Sequence, residues 1–100
     1  MPQNDTNVLE KDDVEVQEPS MYKVLLVNDD YTPMDFVVLI LTSIFGKTIE
    51  EAISLMMDVH KKGRGLAGVY TWDIAETKVR DTVILAKKNQ YPLHAVIEEE

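Results

Sequence analysis

Two helix-forming stretches, residues 33–45 and 49–62, are divided by little more than Gly46 and Lys47. So short a connection makes them pack as a helical hairpin. The boundary signals are explicit. Thr32-Pro33-Met34-Asp35 offers an N-cap residue, a proline suited to the first helical position and an acid in the first turn. Thr48-Ile49-Glu50-Glu51 fits a capping box, Thr48 with Glu51. Gly46 can take the left-handed conformation that closes the first helix, and Gly63 stops the second. Val37, Ile40, Leu41 and Ile44 share one face of the first helix, widened by Met34, Phe36, Val38, Leu39 and Phe45. Ile49, Ala52, Ile53, Met56, Met57, Val59 and His60 keep helical spacing in the second.

Extended segments surround this hairpin. Met21–Val27 reads as a strand that breaks at Asn28-Asp29-Asp30-Tyr31, a run whose side chains favour a turn. Gly65–Thr71 reads as a second strand, weakened by Gly65 and Gly68. A third helix begins at Trp72 or Asp73 and runs to Gln90, with Ala75, Val79, Val83 and Ala86 on one face. Pro92 forces an extended entry into a third strand, Leu93–Ile97. The order β-α-α-β-α-β predicts an α+β domain, a small three-stranded antiparallel sheet packed against three helices. A chain of 100 residues supports one such core.

Charge divides the chain further. Residues 1–19 carry six acids and one base, and Glu98, Glu99 and Glu100 close the C-terminus. The stretch between them holds nine acids and nine bases, so the net charge of −8 belongs to the ends. We expect residues 1–19 to form a disordered acidic extension and residues 20–100 to form the folded core. Acidic ends on a neutral body argue against nonspecific nucleic-acid binding. Lys61, Lys62 and Arg64 are the local exception, and a helix end explains them. No apolar run is long enough to span a membrane, and the N-terminus lacks the pattern of a signal peptide, so the expected location is cytoplasmic.

Catalytic chemistry finds little material. Cysteine is absent, which excludes disulfides, thiol nucleophiles and cysteine-ligated zinc. Ser20, Ser43 and Ser54 sit in no nucleophile context. His60, His94, Asp29 and Asp30 match no metal spacing, and Gly63-Arg64-Gly65 is not a phosphate loop. A hydrolase using Asp30 and His60 as an acid–base pair would lack a nucleophile, a metal motif and an oxyanion site. What remains is the polar turn Asn28, Asp29, Asp30 and Thr32, and a histidine, His60, near the end of an otherwise apolar helical face. Read singly, such a run is more often just a turn, and such a histidine more often a surface or satisfied core residue, than a binding group.

The run Ser20-Met21-Tyr22-Lys23-Val24 followed by Val27-Asn28-Asp29-Asp30-Tyr31-Thr32-Pro33-Met34 closely resembles the ClpS adaptors. The likeness continues through Phe36-Val37, Met56, Val59-His60, Gly68-Val69, Ala75-Glu76-Thr77-Lys78-Val79 and Pro92-Leu93, covering about residues 20–97. It implies a non-enzymatic monomer without cofactor or metal. Such an adaptor binds proteins or peptides bearing N-degrons and delivers them to a ClpA-type AAA+ unfoldase for degradation by ClpP, with no nucleic-acid or membrane partner. By this resemblance Asn28, Asp30 and His60 ligate the substrate's free α-amino group. Thr32, Met34, Val37, Ile40, Met56, Val59 and Leu93 line the pocket for a Leu, Phe, Tyr or Trp side chain, and Met34 gates it against β-branched residues. Glu76 and Lys78 face the N-terminal domain of the unfoldase. Asp35 stands where the family commonly has Glu, and Trp72 where a small residue is expected. The competing expectation is an α+β docking module for an internal peptide motif.

Overall fold

The computed structural model describes residues 18–100. The expectation of an acidic extension at 1–19 therefore falls almost wholly outside the described residues. Strand β1 spans Tyr22–Val27, helix α1 Met34–Ser43, helix α2 Ile49–Lys62, strand β2 Arg64–Tyr70, helix α3 Trp72–Lys88 and strand β3 His94–Glu99. The expected order and fold class hold. The sheet order is β2-β1-β3, and β1 pairs antiparallel with both neighbours.

Period-two alternation along β1 sends Val24 and Leu26 into the core, while Lys23, Leu25 and Val27 stay partly exposed. Helix α2 packs on β2, α3 packs mainly on β3, and α1 packs on α2. Phe36, Val37, Ile40, Leu41, Phe45, Ala52, Val59, Ala67, Ala75, Ala86 and Leu93 complete the core. Thr82 is the buried polar residue there, and its hydroxyl donates to the Lys78 carbonyl at 2.8 Å. The exposed Trp72 packs edge-on to Tyr22, with ring centroids 5.1 Å apart, and so ties the start of α3 to β1.

Helix boundaries follow local hydrogen bonding. The Thr48–Glu51 capping box forms in both directions. Gly63 closes α2 at φ 89°, in the left-handed region that favours glycine. Thr32, expected to cap α1, does not do so. Its amide and its hydroxyl both donate to Asp29, at 2.7 and 2.8 Å, which holds Thr32 in the turn that precedes the helix. Pro33 takes the N-cap position instead, and its carbonyl accepts from the Phe36 and Val37 amides. The first helix ends at Ser43, two residues before the expected Phe45, and the chain reverses through Gly46. At the end of α3, Gln90 adopts φ 64° and the Tyr91 amide donates back to the Ala86 carbonyl, so the helix ends at Lys88. Strand β3 starts one residue later than expected and continues to Glu99, because its pairing with β1 extends to Tyr22↔Glu99.

Candidate functional site

The junction between β1 and α1 lies against the C-terminal end of α2. One backbone contact fixes this: the Asn28 amide donates to the Gly63 carbonyl at 2.9 Å. Gly63 is the left-handed cap of α2, so the hydrogen bond fastens the polar turn to the helix end that carries His60. Asp29 sets the shape of the turn. Its carboxylate accepts from the amides of Tyr31, at 2.8 Å, and Thr32, and from the Thr32 hydroxyl. Burial pushes the Asp29 carboxyl upward. The Thr32 and Tyr31 amides, the Thr32 hydroxyl and the nearby His94 outweigh it and hold the group below its usual range.

Between the turn, the first turns of α1 and the last turns of α2 lies a cleft of about 360 Å³. Its lining comprises Asn28, Asp29, Asp30, Tyr31, Thr32, Pro33, Met34, Val37, Met56, Val59 and His60. Val37 and Val59 are buried at its floor. Thr32, Pro33 and Met56 are half-buried, and Asn28, Asp30, Tyr31, Met34 and His60 are exposed. The cleft thus joins oxygen and nitrogen acceptors to an apolar recess bounded by two flexible thioethers. Its volume falls in the range of small-ligand pockets, roughly 300–1,000 Å³.

The residues expected to share one site separate into two groups. Asn28, Asp30 and His60 meet at the cleft, together with Thr32, Met34, Val37, Met56 and Val59. Ile40 and Leu93 are instead 0% and 3% exposed, and pack in the core. Ile40 lies one turn beyond Val37 on the same face of α1, where the helix has passed beneath the protein surface. Glu76 is exposed on α3, in a shallow groove with Val79, Arg80 and Ile97. Lys78 is half-buried. Its ammonium donates to the Ile44 carbonyl at 2.6 Å and lies 5.8 Å from the centroid of the Tyr70 ring. Sequence reasoning missed Tyr31 and Pro33 as lining, and Asp29 as the residue that shapes the turn. The signal for Asp29 was present, since an Asp followed two and three residues on by free amides can close an Asx turn. Among the described residues no three His, Cys, Asp or Glu side chains gather to hold a metal ion.

Residues 17–96 match the model of the family described as ATP-dependent Clp protease adaptor protein ClpS. The chain belongs to the ClpS family. It is similar to the adapter protein ClpS of Bdellovibrio bacteriovorus, with 60% identity over 82 residues that span 82% of this chain and 72% of that one. It is also similar to ClpS of Burkholderia mallei, with 50% identity over 95 residues, 95% of this chain and 91% of the relative. Among solved structures, Agrobacterium tumefaciens ClpS2 bound to L-phenylalaninamide superposes with a TM-score of 0.80 at 38% identity, covering 83% of this chain and all of that one. As a member of the ClpS family, the chain is an adaptor of the Clp protease and not an enzyme.

Proposed function

We propose that the cleft receives the first residue of a protein bearing an N-degron, its α-ammonium at the polar end and a Leu, Phe, Tyr or Trp side chain in the apolar recess. The observation that carries this reading is the adjacency of the two halves in one cleft: Asn28, Asp30 and His60 beside Met34, Val37, Met56 and Val59. An ammonium is a compact cation with three donors, and holding it partly desolvated calls for about three acceptors and a negative charge. Asn28 supplies an amide oxygen, Asp30 a carboxylate and neutral His60 a ring nitrogen. L-Phenylalaninamide, the ligand of the ClpS2 relative, has the same three features as such a terminus: a free α-amino group, a bulky side chain and an amide where the next residue would follow.

In this reading Met34, 43% exposed at the mouth, closes over the entering side chain and disfavours one branched at Cβ. Ile40 and Leu93 support the recess from behind. The loaded adaptor then docks through α3, with Glu76 and Lys78, on the N-terminal domain of a ClpA-type unfoldase that feeds ClpP. The half-buried Lys78 acts there partly by holding α3 against the end of α1.

The energies suit a carrier that must release its cargo. Burying one large apolar side chain contributes about 1.5–3 kcal/mol. Each charge-assisted hydrogen bond adds about 1.5–3 kcal/mol. Association opposes them by at least about 4 kcal/mol. With three such bonds the terms balance between about −2 and −8 kcal/mol, so the affinity is micromolar at its tightest. Titrating a fluorescent peptide that begins with Phe, with its amino group free or acetylated, tests the reading. Acetylation removes the cation and should weaken binding by about 2–5 kcal/mol. Equal binding of the two peptides would refute amino-group recognition and favour an internal-motif docking module.

A further inference from the structure

We propose that Tyr31 forms a second subsite, which takes the side chain of the residue following the N-terminal one and prefers a bulky planar group. The inference rests on the N-terminal reading of the cleft and extends it along the substrate.

The exposed rim of the cleft consists of Asn28, Asp30, Tyr31, Met34 and His60. The N-terminal reading uses Asn28, Asp30 and His60 for the ammonium and Met34 for the first side chain. Tyr31 is left without a task. It is also 79% exposed, more than any other large apolar side chain described. Exposing an aromatic ring to this degree forgoes the burial that rings of this size ordinarily find.

The ring does not hang from a loose loop. The Tyr31 amide donates to the Asp29 carboxylate at 2.8 Å, and the next amide donates to the same oxygen at 2.7 Å. Through Asn28 and Gly63 the same turn is fastened to α2. The backbone under the ring is therefore fixed relative to the site, and little ordering remains to oppose a contact there. A first residue whose ammonium and side chain are both held in the cleft must send its carbonyl, and the chain beyond, out across the exposed rim. The second side chain is the first group of the substrate to arrive there. An aromatic ring stacked on or set edge-to-face with Tyr31 is the contact this surface offers best.

The test compares free-amino peptides differing only in their second residue, Phe-Trp against Phe-Gly, each titrated against the full chain and its Tyr31→Phe and Tyr31→Ala variants. The wild type should bind the Phe-Trp peptide about 3- to 10-fold more tightly than Phe-Gly. Tyr31→Phe keeps the ring and should retain that ratio. In Tyr31→Ala the ratio should collapse to about one. A ratio that persists in Tyr31→Ala, or is absent from the wild type, overturns the subsite while leaving the first-residue site standing. Acetylated Phe-Trp and Phe-Gly peptides are run alongside, and binding undiminished by acetylation would bring down the N-terminal reading and the subsite with it.

Discussion

The carboxylate of Asp29 accepts hydrogen bonds from two amides and a hydroxyl of the turn it belongs to, while its neighbour Asp30 stands exposed at the cleft. Substituting each should therefore fail differently. Asp30→Ala should cost about 2–5 kcal/mol of affinity for a free-amino Phe peptide, with stability changed by less than about 0.5 kcal/mol. Asp29→Ala should lower the melting temperature and the affinity together, because the turn that carries Asn28 and Asp30 loses its clasp. Asp29 also gives the molecule an acid-side dependence. Its folded-state carboxyl lies below the usual range, so its stabilisation is complete above the ordinary carboxylate value and is lost as pH falls through the lower folded value. Melting temperatures followed into the acid range should fall less steeply for Asp29→Asn than for the wild type, and parallel curves would remove Asp29 from this role. The sequence made the run legible as a turn and marked Asn28 and Asp30 by resemblance. It did not reveal that Asp29 would hold Thr32 in the turn and leave Pro33 at the cap of α1, because Thr32 suits both the end of an Asx turn and a helix cap, and residue types alone do not choose between them.

Between elements, the contact that shapes the cleft floor is the approach of β2 to α2. A Cβ at Gly65 would stand 2.6 Å from Val59 Cγ2 and 3.2 Å from the Leu55 carbonyl oxygen. Gly65→Ala should thus cost about 1–3 kcal/mol of stability. Since Val59 lines the cleft, it should also reduce peptide affinity, and a variant with unchanged melting temperature and affinity would contradict this packing. The same glycine explains why β2 reads poorly in the sequence. Gly65 and Gly68 lower strand propensity, yet Gly65 is there because α2 leaves no room for a side chain. The helical hairpin was legible because its caps are local: the Thr48–Glu51 box and the Gly63 cap form as their spacing requires. The helix ends at Ser43 and Lys88 were less so, because the chain reversals at Gly46 and at Gln90 decide them. The involvement of Lys78 with the Ile44 carbonyl and the Tyr70 ring was not legible either, since α1, β2 and α3 meet only in the folded chain.

At the scale of the whole molecule, three strands and three helices hold one cleft at the corner where β1 ends, α1 begins and α2 stops. The surface of α3 that carries Glu76 belongs to a separate groove, lined by none of the cleft residues, so the cargo and the partner proposed above would not compete for one surface. Membership of the ClpS family gives the chain its place as an adaptor of the Clp protease. What it grips is the claim on which the rest depends. Determining the structure of this chain with a peptide that begins in Phe examines that claim atom by atom. The α-nitrogen should lie within about 2.7–3.2 Å of acceptors on Asn28, Asp30 and His60, with the phenyl ring between Met34 and Met56 above Val37 and Val59. A peptide lying along the rim with its α-nitrogen in solvent and the recess empty would contradict it.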